Sequence, residues 1–252
     1  MKFFVPLVTP FTDDTSSLSE IRFARLIKAH MARGAAGFVV CARSAEVHAL
    51  SLSERKQITE WAVREAHGIP VVVNVTSMTT AAVVDLAQHS DRHGATAVVF
   101  NAPPLVTLTP DELSAFITAV RRHGNILSAC FERTATNEEP LVSFQAGTLP
   151  DSQWAHLAVL HNTTADEFSM PDSICSPIAH FGADTAAKLV DAWPRFEARV
   201  KALFGHGGTF RVGKAACDKL GIDIGHTRGP VRDLDDRGQQ ILDSVWNEVS
   251  SG

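Results

Sequence analysis

The sequence predicts an α/β protein whose parallel strands close into a (β/α)8 barrel, the TIM barrel. Short apolar runs rich in β-branched residues recur along the chain, and stretches with the periodicity of amphipathic helices separate them. A strand and a helix repeated about every 30 residues form consecutive βαβ units, which require a parallel sheet. An open doubly wound sheet is the alternative, but no GxGxxG sequence follows the first strand. These observations favour the closed barrel.

Each strand and helix of this interpretation has its own local evidence. The predicted strands are Phe3–Val8, Gly37–Cys41, Pro70–Val75, Thr96–Phe100, Ile126–Cys130 and His156–Leu160. The helices between them are Ser19–Arg33, Ser53–Ala66, Thr79–His93 and Pro110–His123. We expect helix N-caps at Ser19, Ser53 and Thr109, the last followed by proline at the first helical position. The glycines that follow the helices, where a left-handed residue often ends a helix, are Gly34, Gly68, Gly94 and Gly124.

The chain is short of residues for strands seven and eight. Only about 20 residues separate the sixth strand from the next long helix, fewer than two full βα units need. Glu167–Met170 and Ser173–Ser176 are the candidates for two abbreviated strands. We therefore expect a barrel over residues 1–181 that is incomplete around strands 7 and 8. A C-terminal helical segment over residues 182–252 is expected to pack on it, with helices at Ala183–Phe204, Gly213–Leu220 and Arg237–Val249.

The composition argues against several classes of protein. Of the 252 residues, 45% are hydrophobic and 20% are charged, as is typical of a folded globular protein. The net charge of −5 supplies no basic surface for nucleic acid or for an anionic membrane. No apolar run reaches the roughly 20 residues that span a bilayer. The four isolated cysteines indicate reduced thiols and a cytoplasmic protein; they are Cys41, Cys130, Cys175 and Cys217.

Several short segments, taken in order, match one enzyme family. Pro6–Thr12 resembles that family's first strand and loop, and Ala42–Glu46 lies where the family has Gly-Thr-Thr-Gly-Glu. Lys214–Ala216, Gly221 and Arg228–Pro230 resemble its C-terminal helices. On these residues the chain is similar to the dihydrodipicolinate synthase and N-acetylneuraminate lyase family of pyruvate-dependent class I aldolases. The resemblance covers most of the chain and fails mainly between residues 134 and 182.

The resemblance implies that the family's central catalytic groups are missing. In the family a strand-six lysine forms a Schiff base with pyruvate, and alignment places His161 at that position. No lysine occurs anywhere between Lys56 and Lys188. The strand-five tyrosine, a proton relay in the family, falls on Ser128, and this protein contains no tyrosine. The tyrosine pair that follows strand four in the family falls on Pro104 and Leu105.

The resemblance also implies which groups would bind a substrate. Ser44 retains one of two hydroxyls in the second loop, and Arg43 replaces the other. Arg133 matches the arginine that meets the substrate carboxylate in the synthase branch, and Glu46 is retained. Arg43 and Arg133 are therefore candidates to clamp a carboxylate or a phosphate. Glu46 with Arg43 and Ser44 forms either a substrate-binding loop or a structural ion pair.

Two classes of function follow from these residues. One is a lyase or hydratase that acts on a 2-oxo acid or another carboxylate without a Schiff base. Arg133 and Arg43 would clamp the anion, His161 would be the general acid and base, and Ser44 and Ser128 would be hydrogen-bond partners. The other is a barrel degenerate for Schiff-base chemistry that binds a small carboxylate ligand or associates with an active relative. Imidazole forms no stable imine with a ketone, and the joint loss of the lysine and every tyrosine favours the second class over a faithful aldolase. Whether any catalysis remains is open.

Expectations about partners and cofactors complete this interpretation. Relatives are dimers or tetramers, so the resemblance implies a homo-oligomer. No cofactor and no metal are expected, because His156, His161 and His180 lack the close spacing that is typical of paired metal ligands.

Overall fold

The structure is a computed structural model that describes residues 4–103, 105–122, 127–131 and 181–251. Of Arg43 and of residues 127–131 it describes the backbone alone. The predicted sixth strand, the two abbreviated strands, Gly124 and Cys175 lie outside the described residues.

Five strands form one parallel sheet in which every strand pairs with its neighbour in sequence. The strands are β1 (Phe4–Pro6), β2 (Gly37–Val40), β3 (Val71–Asn74), β4 (Ala97–Asn101) and β5 (Leu127–Phe131). All residues of β1, β2 and β3 are buried. Strands covered on both faces are typical of a parallel sheet enclosed by helices. The sequential order matches one arc of the predicted barrel, and all five strands were predicted within two residues of their observed ends.

Four helices alternate with these strands. They are α1 (Glu20–Ala32), α2 (Leu52–Glu65), α3 (Thr80–Arg92) and α4 (Pro110–Arg122). Each turns an apolar face toward the sheet, with ring contacts that include Phe23 against Trp61, at 6.1 Å, and Phe100 against Phe116, at 5.5 Å. These side chains belong to one hydrophobic core that the sheet shares with α1–α4.

The helix starts confirm one predicted cap and correct another. Thr109 and Glu112 form reciprocal hydrogen bonds at the start of α4, as predicted for a strong cap. Ser19 lies at the N-cap of α1, but its side chain makes no capping hydrogen bond. The cap of α2 is Ser51, not Ser53: its hydroxyl accepts from the Glu54 N–H, and the Glu54 carboxylate accepts from the Ser51 N–H. A capping box needs its glutamate three residues after the cap, and Glu54 has that spacing from Ser51. Ser53 therefore lies inside the helix.

The C-terminal helices form a second hydrophobic cluster. They are α5 (Ala183–Asp191), α6 (Trp193–Lys219) and α7 (Asp236–Ser250). The predicted helix ends at Phe204 and Gly213 were wrong, because α6 continues to Lys219 with a break only at Gly208, where φ is 67°. Residues of all three helices and Phe181 form a core distinct from that of the sheet. We propose on this basis that residues 182–252 are a helical segment added to the barrel of residues 1–181.

Two further observations bear on the sequence-based expectations. Cys41 and Cys217 are buried free thiols, as expected of reduced cysteines. Within the described ranges, no helix combines the length and the apolar character needed to cross a bilayer.

Candidate binding site at the carboxyl ends of the strands

The loop after β2 carries three of the predicted site residues. It is built from two short 3-10 turns, Arg43–Ala45 and Val47–Ala49, joined by Glu46. Glu46 adopts the left-handed conformation, with φ at 54°, which an L-residue adopts only when its surroundings require it. The conformation reverses the chain between the two turns and directs the Glu46 side chain into the protein.

Glu46 is fully buried and is held by two groups from the C-terminal segment. Its Oε1 lies 2.7 Å from Nζ of Lys214, which is also buried. Its Oε2 accepts a hydrogen bond of 2.8 Å from the backbone N–H of Arg228. A carboxylate removed from water is stable only when charge and hydrogen bonds compensate it, and these two contacts provide that compensation. Of the two roles left open for Glu46, the geometry matches the ion pair, and the partner is Lys214.

Lys214 has its own set of partners. Besides Glu46, its Nζ donates to the backbone oxygen of His226, at 2.6 Å, and lies 4.6 Å from the centre of the Phe11 ring. Burial lowers the pKa of Lys214, while the Glu46 carboxylate favours the charged form. A lysine amine that is tied to a carboxylate and a carbonyl is not a free nucleophile. Lys214 therefore positions the loop.

Arg228 ties the loops after β1 and β2 to the same C-terminal segment. Its guanidinium donates to the backbone oxygens of Thr15, at 3.0 Å, and Ala49, at 2.9 Å, and pairs with Glu54 at 2.9 Å. The guanidinium carbon lies 4.1 Å from the centre of the Phe11 ring. One planar cation with several fixed donors thus holds two loops and the start of α2 together.

Further hydrogen bonds fix the neighbouring strand ends. The Thr9 hydroxyl, after β1, donates to the Ala45 backbone oxygen at 2.6 Å. Arg55 of α2 is buried and donates to the backbone oxygens of Asn74, at 2.7 Å, and Thr76, at 2.9 Å. Thr76 in turn contacts Asn101 at the end of β4 through its hydroxyl. The carboxyl ends of β1 to β4 are therefore joined by polar contacts into a rigid rim.

The structure brings together only some of the predicted site residues. Arg43, Ser44 and Glu46 share the loop after β2, and Ser44 is buried there. Ser128 lies in β5, paired with Val98 of β4. Arg133, His161 and Pro104 lie outside the described residues, so their predicted positions stay predictions.

Sequence reasoning missed the roles of Lys214 and Arg228. Both residues were noticed as part of the resemblance, but no function was assigned to them. Their partners lie far away in sequence; Glu46 and Arg228 are 182 positions apart. A lysine or arginine in a helical or loop segment is normally solvated, and no local pattern distinguishes a buried one.

A cavity of about 230 Å³ lies between α6 and the segment that follows it. Arg22, Lys214 and several aspartates line it, and Arg22 is already paired with Asp13 and Asp223. Cationic and acidic side chains therefore line this cavity together.

Comparisons with known proteins show which proteins this chain is similar to. Among curated proteins, 4-hydroxy-tetrahydrodipicolinate synthase of Bradyrhizobium diazoefficiens is 38% identical over 101 residues, 40% of this chain. That match spans only 33% of the relative's length. The enzyme of the same name from Thermoanaerobacter sp. strain X514 is 22% identical, over 97% of this chain and 95% of its own.

Solved structures of similar proteins share the fold of this chain. Proteus mirabilis N-acetylneuraminate lyase superposes with a TM-score of 0.74 at 17% identity, covering 98% of both chains. Dihydrodipicolinate synthase from Cyanidioschyzon merolae, solved with lysine bound, gives a TM-score of 0.75 at 15% identity, covering 99% of this chain and 98% of its own. These similarities confirm the predicted barrel with its C-terminal helices. The sequence model of the dihydrodipicolinate synthetase family matches residues 1–136, more than half of the chain, and the protein therefore belongs to that family.

Proposed function

We propose that this protein is a family barrel that has lost Schiff-base aldolase chemistry and binds a small 2-oxo acid or another carboxylate. The observation that carries the proposal is the absence of any lysine between Lys56 and Lys188, together with the absence of tyrosine. The buried Lys214 is no substitute, because Glu46 and a backbone carbonyl occupy its amine. Without an accessible amine on the barrel strands, an imine to a ketone cannot form.

The positive charge for a carboxylate would come from Arg43 and Arg133. A guanidinium binds a carboxylate through paired hydrogen bonds, and two guanidinium groups at the same end of the barrel would select an anion. Ser44 adds a hydroxyl on the same loop as Arg43. Glu46 serves this function by holding the loop, since both of its oxygens are already engaged. A preformed loop favours binding because little order has to be created when the ligand arrives.

Residual catalysis by His161 is the second candidate, as a lyase or hydratase that needs no imine. The residue in its favour is His161, which the resemblance aligns with the family lysine, because an imidazole that titrates near neutral pH can move protons. Ser128 would be its hydrogen-bond partner from strand five.

Association with another chain, either a second copy or an active relative, is the third candidate. The loop after β4 exposes Leu105 (82%) and Val106 (53%), two adjacent apolar side chains. Adjacent exposed apolar residues are more typical of an interface than of a solvated loop.

The test is a thermal-shift screen of pyruvate, other 2-oxo acids and sugar acids. A ligand that binds the native state raises the melting temperature by mass action. We expect a shift in the wild type that is lost in Arg133→Ala and in Arg43→Ala and is kept in Arg25→Ala, which removes an exposed arginine of α1. No shift with any compound would refute carboxylate binding.

Borohydride trapping with pyruvate tests the loss of the Schiff base separately. We expect no covalent adduct by mass spectrometry, and an adduct on any lysine would contradict the proposal. Turnover of a ligand found in the screen, reduced in His161→Ala, would favour the second candidate over simple binding.

A further inference from the structure

Two histidines and a glutamate converge on the outer side of the barrel, between α2 and α3. Glu60 lies on α2, His89 lies in the last turn of α3, and His93 is the C-cap residue of that helix. Oε1 of Glu60 is 3.1 Å from Nε2 of His89 and 3.8 Å from Nε2 of His93. The donor atoms of the three side chains all lie within 4.8 Å of one another. None of these residues belongs to the strand-end site described above.

The ring of His93 has a fixed orientation and a fixed tautomer. Its Nδ1 is 2.9 Å from the backbone oxygen of His89. A carbonyl oxygen can only accept, so Nδ1 carries the proton of the neutral ring and the lone pair is left on Nε2. Metal-binding histidines are typically held in this way, with the second ring nitrogen donating to a carbonyl.

His89 is more deeply buried than His93, since it is only 8% exposed. Its Nε2 is inaccessible to solvent and has no hydrogen-bond partner, although the Glu60 carboxylate is 3.1 Å away. Leaving a buried polar atom without a partner costs about 1–3 kcal/mol, so an unpartnered nitrogen that faces a carboxylate needs an explanation.

A cation between the three groups provides that explanation. An unprotonated Nε2 and a carboxylate oxygen are both electron-pair donors, and a cation bound to both would satisfy the two groups together. The nearby Lys56 ammonium does not fill this role, because it pairs with Asp85 at 2.7 Å.

We propose that Glu60, His89 and His93 bind one divalent transition-metal ion of the Zn²⁺ class. Zinc–ligand bonds of about 2.0–2.2 Å place ligand atoms about 3.4 Å apart in a tetrahedral site, close to the two distances from Glu60. Two imidazoles and one carboxylate suit Zn²⁺, Ni²⁺ or Co²⁺ better than Mg²⁺ or Ca²⁺. His93 and Glu60 are partly exposed, at 40% and 46%, so the ion can enter and water can complete its coordination. The bound ion joins α2 to α3.

The test is calorimetric titration of the untagged full chain with Zn²⁺, comparing wild type with Glu60→Gln and His93→Gln. Both substitutions are at partly exposed positions, and circular dichroism checks that they fold. We expect one ion per chain in the wild type and an affinity lowered by about 100-fold in each variant. The matched control is His67→Asn, which removes an exposed imidazole next to α2 and retains a residue that tolerates the left-handed conformation there.

A spectroscopic measurement identifies the ligands directly. Cu²⁺ bound in place of Zn²⁺ should show electron paramagnetic resonance couplings from two imidazole nitrogens in the wild type and from one in His93→Gln. Absence of binding to the wild type, or binding that both variants retain, would overturn the proposal. Couplings that are the same in wild type and His93→Gln would overturn it as well, by showing that the ion sits on other histidines.

Discussion

The Glu46 carboxylate and the Lys214 ammonium lie 2.7 Å apart, and both side chains are buried. This ion pair connects the loop after β2 to the middle of the C-terminal helical segment. The loop also carries Arg43 and Ser44, so the placement of the predicted ligand-binding groups depends on a contact with residues far along the chain.

Removing one partner of this pair should destabilise the protein more than removing both charges. Lys214→Met leaves a buried carboxylate uncompensated, which costs about 3–5 kcal/mol of unfolding free energy. Glu46→Gln combined with Lys214→Met removes both charges and should recover part of that loss. Urea unfolding of the wild type, both single variants and the double variant measures the coupling. A loss of less than about 1 kcal/mol in Lys214→Met, as is usual for a surface pair, would contradict the predicted cost of an uncompensated buried carboxylate.

Arg228→Lys should loosen the loops after β1 and β2 although it keeps the charge. A lysine ammonium cannot reach the Thr15 and Ala49 carbonyls and the Glu54 carboxylate at once, as the guanidinium does. We expect hydrogen exchange to become at least about tenfold faster in residues 12–17 and 45–50, with the outer helix α3 unaffected. Unchanged exchange in both loops would mean that other contacts hold them.

Acidic pH should destabilise the protein through His30. Burial, with a smaller contribution from Arg33, lowers the pKa of His30 from 6.5 to about 4. As the pH falls below 6.5, His30 binds a proton in the unfolded chain but stays neutral in the folded protein. The stability provided by the neutral ring is therefore complete above pH 6.5 and is lost between pH 6.5 and 4, by about 3 kcal/mol.

His30→Leu should lack this part of the pH dependence. Urea unfolding at a series of pH values gives the slope for each protein, and His67→Asn, at an exposed position with left-handed backbone, serves as the control. Equal slopes for wild type and His30→Leu in this range would contradict the assignment.

Ser51→Ala and Ser53→Ala should differ, although the serines are two residues apart on the same helix. Ser51→Ala removes the hydroxyl that caps α2 and should cost about 1 kcal/mol of unfolding free energy. Ser53 is exposed within the helix, and its substitution should change stability by less than about 0.5 kcal/mol. A larger effect at Ser53 would show that the helix begins later than described.

Local patterns were sufficient to predict most of the elements. The strands β2 and β3 were predicted within a residue or two of their observed ends. Both are rich in valine and are followed by periodic helices. Such patterns are visible in the sequence because strand burial and helix amphipathicity depend on residues that are close together along the chain. The error at α2 shows the limit of such patterns. Ser51 and Ser53 are both good caps, and the position of Glu54 decides between them.

The pair of histidines in α3 was also available in the sequence. His89 and His93 have the spacing that brings side chains together on one helical face, but they were not among the predicted metal-ligand candidates, which were the later histidines. Glu60 could not have been added to them, because it lies on another helix, and its distance depends on how α2 and α3 pack.

The sequence by itself determined the strand and helix order, the family resemblance, the absence of tyrosine and the absence of lysine between Lys56 and Lys188. These are properties of residue identity and short-range spacing. Only the tertiary structure decided that Glu46 pairs with Lys214, that Arg228 holds two loops, and that Glu60 faces His89 and His93. Each of these contacts joins residues from separate elements that only the packing of helices and loops brings together. For Glu46 and Lys214 the contact also offsets the cost of removing both charges from water.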